Sequence, residues 1–332
     1  MPRSHKKNEP PSFGRVLAAL RDTDQLFPPT LLYHFSGLYG PDLAALETAW
    51  PEINVERRRN ILNDLHEIGE ANFEVAFDSV FRLALEDADA EARAIAIRGL
   101  WESEELDLVA PLIDLMQNDP APEVRATAAS ALGRYIYLGE IEDIPALMKQ
   151  RIEDALLAVI HGQDVLDVRR RALEALGYSG RPEVVGLIQA GYESADEPMR
   201  VSAMFAMGRN SDPRWTTAVL AELEHGSPEL RFEAARAAGE LQLGEAVPKL
   251  EQLIQDGDEP GHEAALWSLS EIGGPEARRI LTELLDGTED EDEQELIEDA
   301  LENLDFTDEV ANFSLMNADD LADDDDDMSR LN

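Results

Sequence analysis

The feature that most constrains this chain is that it repeats itself at a fixed period. Shifted by 31 residues, the segments LDVRRRALEALGY, EPMRVSAMFAMGR, PELRFEAARAAGE and EPGHEAALWSLSE align without a gap. One column reads Arg169, Arg200, Arg231 and His262, and three residues on comes Ala172, Ala203, Ala234 and Ala265. The next two apolar columns are Leu173, Met204, Ala235 and Leu266, then Leu176, Met207, Ala238 and Leu269. Apolar columns separated by one and three residues define one face of a helix. A small-residue column follows, Gly177, Gly208, Gly239 and Ser270. There a neighbouring backbone can come close, at some cost in helix propensity.

Upstream, PEVRATAASALGR carries the same signature on Arg125, Ala128, Leu132 and Gly133. AEARAIAIRGLWE carries a degenerate one on Arg93 and Ala96, and VERRRNILNDLHEIG a looser one. Between signatures lies a second periodic segment, with Ile188, Val219, Leu250 and Leu281 followed four residues later by Tyr192, Leu223, Ile254 and Leu285. Each unit is therefore a helical hairpin. Asp196, Ser227 and Asp258, four residues before the Arg or His column, are the expected N-caps, and Pro228 suits the first helical position. A single hairpin cannot bury both its faces, so neighbours must stack into a solenoid with a continuous core.

The recurring string x-[VLM]-R-x-x-A-x-x-A-[LM]-G resembles HEAT repeats, and within them the short bacterial kind of phycobilisome-lyase-like proteins. The resemblance runs over residues 40–305 and is strongest over 122–274. It implies an all-α right-handed α-α superhelix, a HEAT-like solenoid of about eight helical hairpins whose second helices line the concave side. In that family an Asp ahead of the second helix often pairs with the Arg of a neighbouring repeat. Asp87, Asp119 and Asp256 stand six residues before Arg93, Arg125 and His262, whereas Gln163, Ser194 and His225 hold that place in the other repeats. A partial ladder is the expectation.

Four segments are expected. Residues 1–11 form a disordered basic N-terminus, 12–39 an atypical helical cap containing Pro28 and Pro29, 40–305 the repeat array, and 306–332 a disordered acidic tail. The array has one irregularity: Arg125 and Arg169 are 44 residues apart, and the surplus reads as a lengthened helix around 140–163.

Charge narrows the function classes. With 70 acidic and 28 basic residues the formal charge is -42, and from Asp286 onward 20 acidic residues face the single Arg330. Nucleic acids and anionic membranes are repelled, so the expected partner is a neutral or basic protein or peptide. The absence of cysteine removes thiol nucleophiles and thiolate metal sites. The opening MPRSHKKNEPP is not followed by an apolar signal segment and no run approaches the ~18 residues of a membrane span, which reads as a cytoplasmic protein.

Catalytic candidates are weak. His262-Glu263 resembles the His-Glu motif with which deoxyhypusine hydroxylase, itself built of HEAT repeats, binds two irons. The other such pair, His66-Glu67, falls eight residues further along its own helix, so the two are out of register and His262 reads as a substitute for the repeat Arg. His161, Asp164 and Asp167 read as solvated residues at a helix end rather than a metal cluster. No phosphate loop, nucleophile elbow or HExxH string is present. The chain is expected to be no enzyme and to need no cofactor or metal.

What the repeat does offer is an outward row. Counting from the Arg column, positions one and five turn away from the apolar stripe. They hold Val201 and Phe205, Phe232 and Arg236, and Glu263 and Trp267, with Arg209 beside them. Aromatic and Arg side chains are frequent interface anchors. Val201, Phe205, Arg209, Phe232, Arg236 and Trp267 are therefore the predicted partner-binding residues of a protein-interaction scaffold or adaptor. Two other readings stand beside it: a phycobilisome-lyase-like or other small-molecule enzyme, and an acidic chaperone or nucleic-acid mimic that sequesters a basic protein. Residues 306–322, apolar among acids, are an expected ligand for the row in the same chain.

Overall fold

The computed structural model describes residues 13–255 and 259–307. Among these the regular structure is entirely helical, an all-α repeat fold of the superhelical class. The chain divides into two compact units, residues 1–175 and 176–332.

The first unit opens with α1 (Phe13–Arg21) and a 3-10 turn (Pro29–Phe35). The Phe13 and Phe35 rings meet edge to face at 6.1 Å, and Val16, Leu20 and Phe35 are fully buried. This cap covers what would otherwise be the bare apolar end of the array. The hairpins follow as pairs of first and second helix: α2 (Gly40–Ala49) with α3 (Val55–Ala71), and α4 (Asp78–Ala84) with α5 (Ala90–Gly99). Next come α6 (Val109–Asn118) with α7 (Pro122–Glu140), and α8 (Ala146–His161) with α9 (Leu166–Leu176). The second unit pairs α10 (Pro182–Tyr192) with α11 (Glu197–Asn210), and α12 (Thr216–Glu222) with α13 (Pro228–Glu240). It continues with α14 (Val247–Gln255) and α15 (Glu259–Ile272), then α16 (Gly274–Gly287) and a final helical run over 291–307. The 44-residue spacing is shared between a long second helix, α7, of 19 residues and a long first helix, α8, of 16.

Within each unit second helices pack on second helices, α3 on α5 and α5 on α7, then α11 on α13 and α13 on α15. The apolar columns lie in this core: Ala172, Ala203, Ala234 and Ala265 are all 0% exposed, and so are Leu176, Met207, Ala238 and Leu269. The small-residue column sits where the helices approach most closely. A Cβ added at Gly208 would stand 3.0 Å from the Ala237 Cα, and one at Gly239 2.9 Å from the Ser268 Cα. At Gly133 it would meet the Ala175 Cα at 3.1 Å, so the contact recurs at the same register in both units. Glycine is needed at these positions for backbone contact and not for an unusual φ.

The N-caps differ in part from expectation. α11 and α13 begin after Asp196 and Ser227, with Pro228 in the first turn, yet neither side chain caps its helix. Ser227 Oγ donates instead to Glu229 at 2.9 Å. The turn is fastened from two residues earlier, where Ser194 Oγ accepts from the Asp196 N–H and His225 Nδ1 from the Ser227 N–H. Asp258 lies outside the described residues.

Candidate functional site

A ladder of ion pairs runs through the first unit. Arg58 meets Asp87 at 2.7 Å, Arg93 meets Asp119 at 2.7 Å, and Arg125 meets Asp164 at 2.7 Å. In the second rung two guanidinium nitrogens meet the two oxygens of one carboxylate, while Nη1 turns back to the Asp87 carbonyl at 2.7 Å. Asp119 then accepts the Ala121 N–H at 2.9 Å, so one side chain both closes a turn and joins two repeats. Burial pushes the Asp119 carboxyl up, but the Arg93 and Ala121 bonds and the Arg93 and Arg125 charges outweigh it, and the group ends below its ordinary range.

The sequence reading placed Asp87 and Asp119 in the ladder but did not name Arg58 as a partner and missed Asp164. Arg58 stands in the loosest repeat, and Asp164 lies one residue past the column, where Gln163 was the expected occupant. Asp164 is thus committed to Arg125, and Asp167 pairs with Arg170 at 2.8 Å, which accounts for two of the three residues of the drawn metal cluster. In the second unit the repeat arginines keep the backward reach: Arg200 donates to the Ser194 carbonyl and Arg231 to the His225 carbonyl. Asp256, the ladder position that follows Arg231, lies outside the described residues. Ser194 and His225 retain the turn-closing half of the Asp role and lose the pairing half.

His262 stands in the arginine column but makes other contacts than the arginines, which reach the carbonyl six residues back. Its Nδ1 lies 3.4 Å from the Ile254 carbonyl and its Nε2 3.5 Å from Glu293. His66 lies 3.6 Å from Glu70. Among the described residues no three His, Asp or Glu side chains converge as a metal site.

The predicted row lies on α11, α13 and α15, which hold it at matching heights through the common register. Val201, Phe205, Phe232 and Trp267 are all half-buried, neither in the core nor standing free, and Glu263 is exposed. Two of the rings carry cations. The Arg209 guanidinium lies 5.2 Å from the Phe205 ring centre and 5.4 Å from that of Tyr178, and Arg236 lies 5.4 Å from that of Trp267. Such stacking is favourable and keeps a planar cation flat on the surface.

Between the two arginines stands Glu240, 3.0 Å from Arg209 and 3.7 Å from Arg236. Burial drives its carboxyl upward, and the two guanidinium charges do not fully offset this with Glu271 also nearby. Phe205 and Trp267 are therefore linked through Arg209, Glu240 and Arg236, with the row's cations already facing an anion of the same chain. Tyr178 and Glu240 were not among the predicted residues. They belong to the column that ends the aligned segments, Tyr178, Arg209, Glu240 and Glu271, one turn beyond position five on the same face. Following the repeat for four more residues would have found them. Of residues 306–322, the predicted ligand for this row, those from 308 on lie outside the described residues.

Known proteins share this architecture. The family model described as HEAT repeats matches residues 78–155 and 216–302, one stretch in each unit. No curated protein matches by sequence. Among solved structures, the complex of CpcE and CpcF of phycocyanin lyase from Nostoc sp. PCC7120 is 18% identical with a TM-score of 0.51, covering 92% of this chain and 99% of that one. Human deoxyhypusine hydroxylase in complex with glycerol is 19% identical with a TM-score of 0.36, covering 80% and 96%. Kap95p bound to RanGDP is 14% identical with a TM-score of 0.43, covering 88% and 45%. At 18% identity the likeness to the lyase complex is one of fold. No described helix is long and apolar enough to cross a membrane.

Proposed function

We propose that this chain, which is a HEAT-repeat protein, is an interaction scaffold or adaptor and not an enzyme, and that it holds a partner protein or peptide on the second-helix surface of α11, α13 and α15. The observation that carries this reading is the half-buried row of Phe205, Phe232 and Trp267, in which Arg209 stacks on Phe205 and Arg236 on Trp267 around Glu240. Rings and guanidinium groups held in place before binding lose little conformational entropy when a partner arrives, which is what makes them good anchors. A ligand carboxylate has to displace Glu240 to reach either arginine, so the surface favours apolar and neutral contacts over acidic ones. The whole-chain charge of -42 supports a second reading, capture of a basic protein driven by electrostatics.

The test is partner capture from extracts by the full chain and by its Phe205→Ala, Phe232→Ala and Trp267→Ala variants, with helical content and melting followed in parallel. The scaffold reading expects capture to fall while helical content stays near the parent's. Melting temperatures lowered with capture intact would place the rings in a structural role. Capture lost with rising salt but indifferent to the three rings would favour the electrostatic reading.

A further inference from the structure

The first unit holds a partly open cavity of about 100 Å³ between the C-terminal ends of α3 and α5 and the turn that enters α4. Its depth is apolar, with Phe77 and Phe81 each 3% exposed. Gly99 makes this wall possible, since a Cβ there would fall 2.4 Å from the Phe81 ring. Trp101, 52% exposed, lines the mouth together with three carboxylates, Glu70, Asp78 and Glu102. No Lys or Arg lines it, and Asp78 and Glu102 have no ion-pair partner among the described residues. The Ser103 hydroxyl, on the same lining and shut off from solvent, also lacks a hydrogen-bond partner.

Glu70 has His66, also on the lining, 3.6 Å away, while Asp78 and Glu102 stay uncompensated, so the mouth is negative over an aromatic floor in a chain where many carboxylates find arginines. Size decides what it can take. Small-molecule and cofactor sites occupy roughly 300–1,000 Å³, so this one accommodates the end of a single side chain. An aliphatic stem suits the phenylalanines, and a cation suits both the indole face and the carboxylates.

We propose that this cavity is a receptor for an arginine or lysine side chain of a basic partner protein, at a site separate from the α11, α13 and α15 surface and independent of it. The cation lies against Trp101 between Glu70 and Glu102, with its stem toward Phe77 and Phe81. The acidic chain as a whole then concentrates the basic partner, and this cavity gives the encounter a fixed geometry.

The experiment titrates acetyl-Gly-Arg-Gly-amide, acetyl-Gly-Lys-Gly-amide and the neutral acetyl-Gly-Gln-Gly-amide into the full ¹⁵N-labelled chain. The readout is the Trp101 indole N–H resonance, identified with Trp101→Phe. The cationic peptides should shift it saturably and at least about tenfold more tightly than the Gln peptide, allowing roughly 1.4 kcal/mol for the charge-assisted contact. Glu70→Gln with Glu102→Gln should remove that preference. Gly69→Leu should block the shift by filling the cavity, because a Cβ there meets only Phe77 at 3.9 Å and the chain has room for it. Trp267→Ala, which probes the other surface, should leave the titration unchanged. Equal binding of the Gln peptide, or a preference that survives both Gln substitutions, overturns the proposal. A shift that appears only once residues 1–11 are deleted also overturns it, since the occupant is then the chain's own Arg3, Lys6 or Lys7.

Discussion

Changing Asp119 to Ala strands a buried cation. The Asp119 and Arg93 side chains are 3% and 10% exposed, so Arg93 cannot recover its lost bonds from bulk water without moving. Removing one partner of such a pair costs about 3–5 kcal/mol, most of it the penalty of leaving the other charge uncompensated. Arg93 keeps its bond to the Asp87 carbonyl, which places the loss near the lower end of that range. The Ala121 N–H also loses its acceptor, adding about 0.5–1 kcal/mol. For a unit of this size ~2–4 °C of melting temperature accompanies each kcal/mol, so a loss of about 3.5 kcal/mol lowers the midpoint by about 7–14 °C. Asp119→Asn keeps an acceptor for Ala121 but not the charge, and should fall between parent and Ala. Combining Asp119→Ala with Arg93→Met removes both charges and should recover at least about half the loss. Circular dichroism melts and urea titrations of the four proteins measure this. A midpoint within about 2 °C of the parent for Asp119→Ala, or a double variant no better than the single, would refute the reasoning.

Ala203→Glu and Ala234→Glu place a carboxylate at positions with 0% exposure and no cation in the stripe, so each should cost at least about 3 kcal/mol and show as a lowered melting temperature of the second unit. His225→Asp restores a carboxylate at the ladder position that follows Arg200, and should raise the urea midpoint by the equivalent of about 1 kcal/mol if the rung geometry of the first unit carries over. Acid should weaken the first unit through its aspartates. Arg59 bonds hold the Asp89 carboxyl at about 2 against an ordinary 3.8, with burial opposing and the Ala92 N–H assisting. Its folded value is depressed, so the stability it contributes is present above 3.8 and lost as pH falls toward about 2. In stability curves against pH, Asp89→Asn should therefore lie below the parent at neutral pH and converge with it in acid. Glu240 has the opposite sign: its raised carboxyl favours the folded state as pH falls, and Glu240→Gln should change stability at neutral pH by less than about 1 kcal/mol.

The hairpins, their register and their core were legible in the sequence because helical geometry is local. Residues three and four apart share a face wherever the chain is helical, and a column that stays apolar through four repeats has to face the core. Ala203, Ala234 and the glycines of the close approach follow from that alone. The outward positions of Phe205, Phe232 and Trp267 follow from the same arithmetic, but their state does not. Arg209 over Phe205 and Arg236 beside Glu240 are four residues apart on one helix, but Arg209 on Tyr178, Arg236 on Trp267 and Glu240 on Arg209 join residues about 30 apart and depend on the neighbouring helix. The ladder shows the limit most plainly. Its column predicted Asp119 correctly but passed over Asp164, because a charged side chain reaches its partner through space and a one-residue slip in a connecting turn leaves that reach intact. The cavity by Trp101 had no sequence signature, since its walls are the ends of two helices and a turn that no single period brings together. Periodicity determines which face of each helix is buried, and only the packing of one helix end against another decides which charges meet and which remain open.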